Sequence, residues 1–169
     1  MLKYSVLILM MVTQIVMAEE PSSYLNKAKQ VGDNVWIGPQ PTEQDFSELA
    51  ADEIGAVINS RTMTEIQQLD FNEIEQASKY NMTYDLLEVG EGHAYSPAKL
   101  IAFNDLMAAN AGKNMLLHCK SGNRSTQLYT AWLIKYQDKS VAEALKSVGS
   151  DETELNDSVK NLLGINPAR

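Results

Sequence analysis

Leu117-His118-Cys119-Lys120-Ser121-Gly122-Asn123-Arg124-Ser125 holds the one cysteine of the chain and organises how the rest is read. It follows a short apolar run, Met115-Leu116-Leu117, and precedes a helical pattern that begins near Ser125. A strand that turns through a small polar loop into a helix aims loop amides and a helix N-terminus at one point, which makes an anion site. The Cys119 thiol falls inside that site. There the positive helix end and the fixed charge of Arg124 are expected to favour the thiolate, the form that attacks electrophiles. Arg124 also brings a planar fork of donors suited to a tetrahedral oxyanion. A buried structural cysteine before a helix cap would not call for an arginine five positions on, Gly122 in the turn and Ser125 at the helix start together. Catalysis or anion binding is therefore the preferred reading of the stretch.

The chain has 169 residues, enough for one domain with a real core and too few for two comfortable ones. Residues 1–18 read as a signal peptide. Lys3 gives the positive start, residues 6–12 are apolar, and Val16-Met17-Ala18 ends in a small residue that places the cut before Glu19. The apolar run is shorter than the roughly 20 residues of a spanning helix, so no stable membrane anchor is expected after cleavage. A periplasmic or secreted location follows. In an oxidising compartment a single cysteine has no partner within the chain, so Cys119 is free or linked to another molecule, and its retention there leans toward use. The net charge of −8 becomes −9 once Lys3 is removed, which makes nucleic acid a poor partner. A focused positive site on that acidic surface still suits a small anion. No cofactor is called for, and there is no metal-type cluster of His and Cys.

Residues 19–33 read as a polar lead-in with a short helix through Tyr24, Leu25 and Ala28, and residues 34–169 as the domain. Val35-Trp36-Ile37 is a brief strand ended by Gly38-Pro39-Gln40-Pro41, and Thr42 with Asp45 looks like a helix cap and its N3 partner. Residues 54–58 form a second strand that stops at Asn59-Ser60-Arg61. Thr64 opens a polar stretch, and a helical pattern through Phe71, Ile74 and Ala77 ends near residues 79–81. Residues 82–89 are extended, the loop Gly90-Glu91-Gly92-His93-Ala94-Tyr95 follows, and Ser96-Pro97 is a strong helix start. After the cysteine loop come three helical segments, marked by Leu128, Ala131, Trp132 and Tyr136, then residues 141–148, then 152–163. Strand and helix alternate throughout, which predicts an α/β fold: a mostly parallel central sheet with helices on both faces. Open sheets of this kind carry their sites at the carboxyl ends of the strands.

His-Cys, four residues, then Arg-Ser resembles the active-site loops of two groups: the cysteine-dependent phosphatases, which usually have five residues between Cys and Arg, and the rhodanese-like sulfurtransferases, often one residue shorter. The loop alone does not choose between them. A longer resemblance runs through Trp36-Ile37-Gly38-Pro39-Gln40-Pro41-Thr42, Asp45-Phe46, Val57-Ile58-Asn59-Ser60-Arg61 and the cysteine loop. It is similar to a bacterial phosphatase-like family, the phosphatase-like domain of beta-lactamase hydrolase-like proteins, once a domain of unknown function, whose members look like dual-specificity phosphatases. Their loop often reads His-Cys-Arg-Ser-Gly-Thr-Arg-Ser, from which this chain differs at Lys120 and Asn123, and their Asn-Leu-Arg stands against Asn59-Ser60-Arg61 here.

The resemblance implies a dual-specificity-phosphatase-like fold and hydrolysis of a phosphate ester, or of another small oxyanion substrate, through a cysteinyl-phosphate. It assigns Cys119 as nucleophile and Arg124 as phosphate binder. The amides of Lys120, Ser121, Gly122, Asn123 and Arg124 would line the loop, Ser125 would hydrogen-bond the sulfur, and His118 would orient the loop. Arg61 is a candidate second cation. Such phosphatases supply an aspartate as general acid from a loop before the cysteine strand, and residues 90–95 have none, which leaves Glu91 and His93 as candidates. Two alternatives stay open: a rhodanese-like sulfurtransferase with a persulfide on Cys119, and an exported anion-binding module without turnover.

Overall fold

The computed structural model describes residues 23–165, so the signal peptide and the cut before Glu19 lie outside the described residues. The apolar run that precedes the cysteine is the middle of the sheet. Strand β5 (Asn114–His118) pairs in parallel with β2 (Val35–Gly38) on one side and with β3 (Ile54–Asn59) on the other. Strand β4 (Thr83–Leu86) adds in parallel to β3, and β1 (Lys29–Gly32) adds antiparallel to β2, giving the order β1-β2-β5-β3-β4. The expected mostly parallel sheet holds.

Side chains alternate between the two faces of the strands, and each face has its own core. Val57 and Leu116 point to one side, onto Tyr24, Phe46, Leu49 and Ala77. That side is covered by a 3-10 turn (Tyr24–Asn26), α1 (Asp45–Ala51) and α3 (Glu73–Lys79). Ile58, Met115 and Leu117 point to the other, where α4 (Pro97–Ala109), α5 (Asn123–Tyr136), α6 (Val141–Ser147) and α7 (Asp157–Leu163) contribute Phe103, Leu128, Leu145 and Leu162. Truncating a residue as buried as Leu116 or Leu117 should cost roughly 2–5 kcal/mol.

Register is what positions the site. Gly38, His118, Asn59 and Leu86 lie in one row across β2, β5, β3 and β4, so four loops leave the sheet at the same level. The chain lays down β2, β3 and β4 before α4 returns it to the middle, and the crevice where strand order switches is where such sheets bind ligands.

Four details differ from the sequence expectation. The lead-in is part of the domain: its short helix is a 3-10 turn that ends at Asn26, Tyr24 is fully buried, and β1 forms the sheet edge. A short helix, α2 (Met63–Ile66), occupies part of the polar stretch opened by Thr64, started by Thr62 and Glu65 as a reciprocal capping box. Helix α5 begins at Asn123 because Gly122 takes a left-handed φ of 92°, which frees the chain to turn at once. The last helix begins at Asp157, capped by Asn156, and not at Glu152.

Candidate active site

Cys119 leaves β5 at the switch point and is 1% exposed. Its sulfur accepts the Gly122 N–H at 3.1 Å, so the turn that starts α5 folds back onto the thiol. A Cβ on Gly122 would stand 3.3 Å from the Gly38 carbonyl oxygen, which ties the turn closely to the end of β2. The Gln40 N–H donates to the Lys120 carbonyl at 3.2 Å and the Ser60 N–H to the His118 carbonyl at 2.8 Å, so the neighbouring strand ends hold the loop from both sides. The side chains of Lys120, Ser121 and Asn123 face solvent. Ser125 is fully buried, and its hydroxyl donates to Ser60 Oγ at 3.4 Å, not to the sulfur as expected. Ser60, the position that departs from the resembled family's leucine, supplies that competing acceptor.

Arg124 does not stand free. Its two terminal nitrogens donate to Glu65 in a fork, Nη1 to Oε2 at 2.6 Å and Nη2 to Oε1 at 2.7 Å. Nη1 also reaches the carbonyls of Ser60 at 3.3 Å and Val89 at 3.2 Å. Nε and the remaining Nη2 proton are left for an oxyanion. The Arg124 hydrogen bonds hold the Glu65 carboxyl down at about 2, and the same bonds raise Arg124 above its ordinary value, so the pair stays charged. Arg61 is placed differently from the sequence expectation of a substrate cation. It is 7% exposed, with Nη1 on Gln40 Oε1, Nη2 on the Glu65 carbonyl at 3.2 Å and Nε 3.6 Å from Glu65 Oε1, so it supports the carboxylate that supports Arg124.

Beneath the loop lies a second buried carboxylate, Glu73, at the start of α3. It accepts from Gln40 Nε2 at 2.8 Å, Asn59 Nδ2 at 2.8 Å and the Tyr84 hydroxyl at 2.9 Å. His118 Nε2 stands 3.2 Å from Glu73 Oε1, within ion-pair reach but off the line of a hydrogen bond. Burial opposes charge on Glu73, yet His118 and the donors from Gln40 and Tyr84 outweigh it and leave the carboxyl below its ordinary value. His118 is thus turned into the core, under the loop it was expected to orient.

No family model and no curated protein matches the chain. Solved structures do. The active form of Tk-PTP superposes with a TM-score of 0.67 at 22% identity, over 82% of this chain and 97% of that one. PTPMT1 in complex with PI(5)P gives 0.68 at 20%, over 82% and 94%. The DUF442 protein of Shewanella putrefaciens CN-32 gives 0.64 at 20%, over 83% and 93%. The fold is that of the tyrosine and dual-specificity phosphatases.

The 90–95 turn lies between β4 and α4 and is closed by paired hydrogen bonds between Gly90 and His93 at 2.7 and 2.9 Å. It packs onto Arg124: a Cβ on Gly90 would lie 3.3 Å from Arg124 Cδ. Glu91 is exposed at the tip with φ 47°, close enough for its charge to act on Arg124. His93 leans outward, its Nε2 3.6 Å from Glu88 Oε1. The loop lies against Arg124, but the acceptors of Arg124 are Ser60, Glu65 and Val89, and neither Glu91 nor His93 is among them. Glu65, Glu73 and Gln40 were missed from sequence. The Thr62-x-x-Glu65 spacing was a readable helix-start signal for the first, while only the fold brings Gln40 and Glu73, 33 residues apart, into contact.

Proposed function

We propose that the chain is a cysteine-dependent phosphoric-ester hydrolase that works through a cysteinyl-phosphate. The observation that carries this reading is the meeting of a buried sulfur, held by the Gly122 amide at the start of α5, with an arginine whose fork is fixed by Glu65. The Cys119 thiolate attacks phosphorus, a sulfur–phosphorus bond forms and the ester P–O bond breaks. Arg124 and the loop amides bind the equatorial oxygens, where charge gathers in the transition state. The departing alkoxide takes a proton from the 90–95 loop, with Glu91 or His93 as donor. Water then attacks the phosphorus, gives its proton to that same group, and the sulfur–phosphorus bond breaks to release phosphate and restore the thiolate.

The substrate class is a phosphate ester, in keeping with the PI(5)P complex of the structurally similar PTPMT1. The acidic balance of the chain disfavours nucleic acid. The reaction is placed in the periplasm or outside the cell, on the strength of Lys3, the apolar run and Val16-Met17-Ala18, and the exported species should begin at Glu19 by intact mass. One observation favours a second reading: the four-residue spacer between Cys119 and Arg124 suits a persulfide sulfur, smaller than a phosphoryl group. Parallel assays of the purified exported protein decide between them. Release of phosphate from an aryl phosphate, lost in Cys119→Ser, supports the hydrolase; thiocyanate from thiosulfate and cyanide with phosphate esters untouched replaces it with a sulfurtransferase.

A further inference from the structure

The two buried carboxylates of the site are joined by one side chain. Gln40 follows β2 in the 39–41 loop, and its amide donates through Nε2 to Glu73 Oε1 at 2.8 Å while Oε1 accepts from Arg61 Nη1. Its own backbone N–H holds the Lys120 carbonyl of the cysteine loop. A carboxylate only accepts and a guanidinium only donates, so a group between them must offer a donor to one and an acceptor to the other. The amide does so at every pH while uncharged, whereas an acid of the same length does so only when protonated, and the orientation of the amide is forced by its partners. Through Arg61 the link continues to Glu65 and so to Arg124; through Glu73 it continues to His118, the residue before Cys119.

We propose that Gln40 is a positioning residue that keeps the cysteine loop and the Arg124 fork in mutual register, an inference that rests on the hydrolase reading above. Its side chain bonds Glu73 and Arg61, not the Cys119 sulfur. Its amide fixes where Arg61 stands, Arg61 and Arg124 share Glu65, and its backbone fixes the loop to which Arg124 must be aligned. Shifts of about 1 Å in such an arrangement can cost about 10²-fold in rate.

Two variants separate this role from a packing role. Gln40→Leu removes donor and acceptor together. Gln40→Glu is conditional: protonated, its carbonyl accepts from Arg61 and its O–H donates to Glu73, which copies the amide; ionised, it sets two carboxylates against each other. The ionisable and charged groups facing this position are Glu73 from α3, Arg61 after β3, Tyr84 from β4, His118 from β5 and Tyr24 from the 3-10 turn, with Glu43, Asp70, Lys79 and Tyr80 around the cavity of about 780 Å³ that Gln40 also lines.

The experiment measures kcat/KM for an aryl phosphate against pH and, on the same samples, the protection of Cys119 from iodoacetamide by inorganic phosphate, which needs no turnover. Near-UV circular dichroism and the thermal midpoint report folding. Gln40→Leu should lose about 10²-fold in kcat/KM at every pH. Gln40→Glu should be comparably weak near neutral pH and regain most of the wild-type value on acidification, through a new limb absent from wild type and from Gln40→Leu. Phosphate protection should follow the same pattern. Wild-type-like kinetics and protection in both folded variants, or a uniform loss in Gln40→Glu with no acid recovery, would overturn the proposal. If wild type fails to hydrolyse the ester, the hydrolase reading falls, and the protection profile still judges Gln40: the acid recovery upholds it and its absence sinks it.

Discussion

The cysteine loop and the 90–95 loop face the same Arg124, yet they are built in opposite ways. The cysteine loop has Cys119, Gly122 and Ser125 buried and is held at several points: Gly122 on the sulfur, Gln40 and Ser60 on the flanking carbonyls, and Glu65 on Arg124. The 90–95 loop is closed on itself by Gly90 and His93, has three consecutive residues at positive φ (Gly90, Glu91 and Gly92), and sends Glu91 to solvent and His93 to Glu88. Binding an oxyanion demands donors fixed before the substrate arrives, because their value lies in not reorganising. Donating a proton demands only reach at the moment of bond cleavage. In the proposed hydrolase, attack and anion binding would therefore rest on the core, while protonation of the leaving group would fall to a surface turn.

The largest expected effects break the fixed side. Cys119→Ser and Arg124→Ala should each abolish turnover of an aryl phosphate, and Arg124→Ala should also slow alkylation of Cys119 by iodoacetamide in a pH series. An Arg124→Ala enzyme with unchanged turnover would mean that the fork is structural only. Next, Glu91→Gln or His93→Ala should slow a substrate with a poor leaving group by about 10²-fold or more and hardly touch a good one. If neither variant shows that dependence in a leaving-group series, the surface turn does not supply the acid.

Smaller changes sharpen the comparison. Glu65→Gln keeps one acceptor and loses the charge of the fork, so Arg124 should drift and kcat/KM fall by about 10- to 10²-fold. The same carboxylate makes a pH prediction. Its value in the folded protein is about 2 against 4.5 ordinarily, a lowered pKa, so the stability it contributes is complete above about 4.5 and is lost as pH falls toward 2. The thermal midpoint should therefore decline over that window, and less steeply in Glu65→Gln. Parallel declines would place the acid sensitivity elsewhere.

Local chemistry was legible in the sequence where one stretch carried it. The apolar run before Cys119, Gly122 in the turn and the Ser96-Pro97 cap, whose Oγ accepts from Lys99 N at 3.4 Å, all read directly from neighbours in the chain. Thr42 and Asp45 exchange the predicted bonds at 3.3 and 2.8 Å, although regular helix starts only at Asp45. What was not legible depends on strand order. That β5 enters between β2 and β3 is a fact of pairing across distant segments, and it brings the linked Gln40, Arg61 and Glu73 to the cysteine loop. Arg61 looked like a free cation at a strand end because nothing local marks Gln40 as its acceptor. Ser125 looked free for the sulfur because Ser60, 65 residues away, is not its neighbour in sequence.

The most direct measurement is the mass of the Cys119 peptide after acid quench during turnover, taken once with an aryl phosphate and once with thiosulfate. The expected result is a phosphoryl adduct on Cys119 with the ester, strengthened in the Glu91→Gln or His93→Ala variant that lacks the acid–base group, and no adduct in Cys119→Ser. A peptide that gains one sulfur from thiosulfate and nothing from the ester would contradict it.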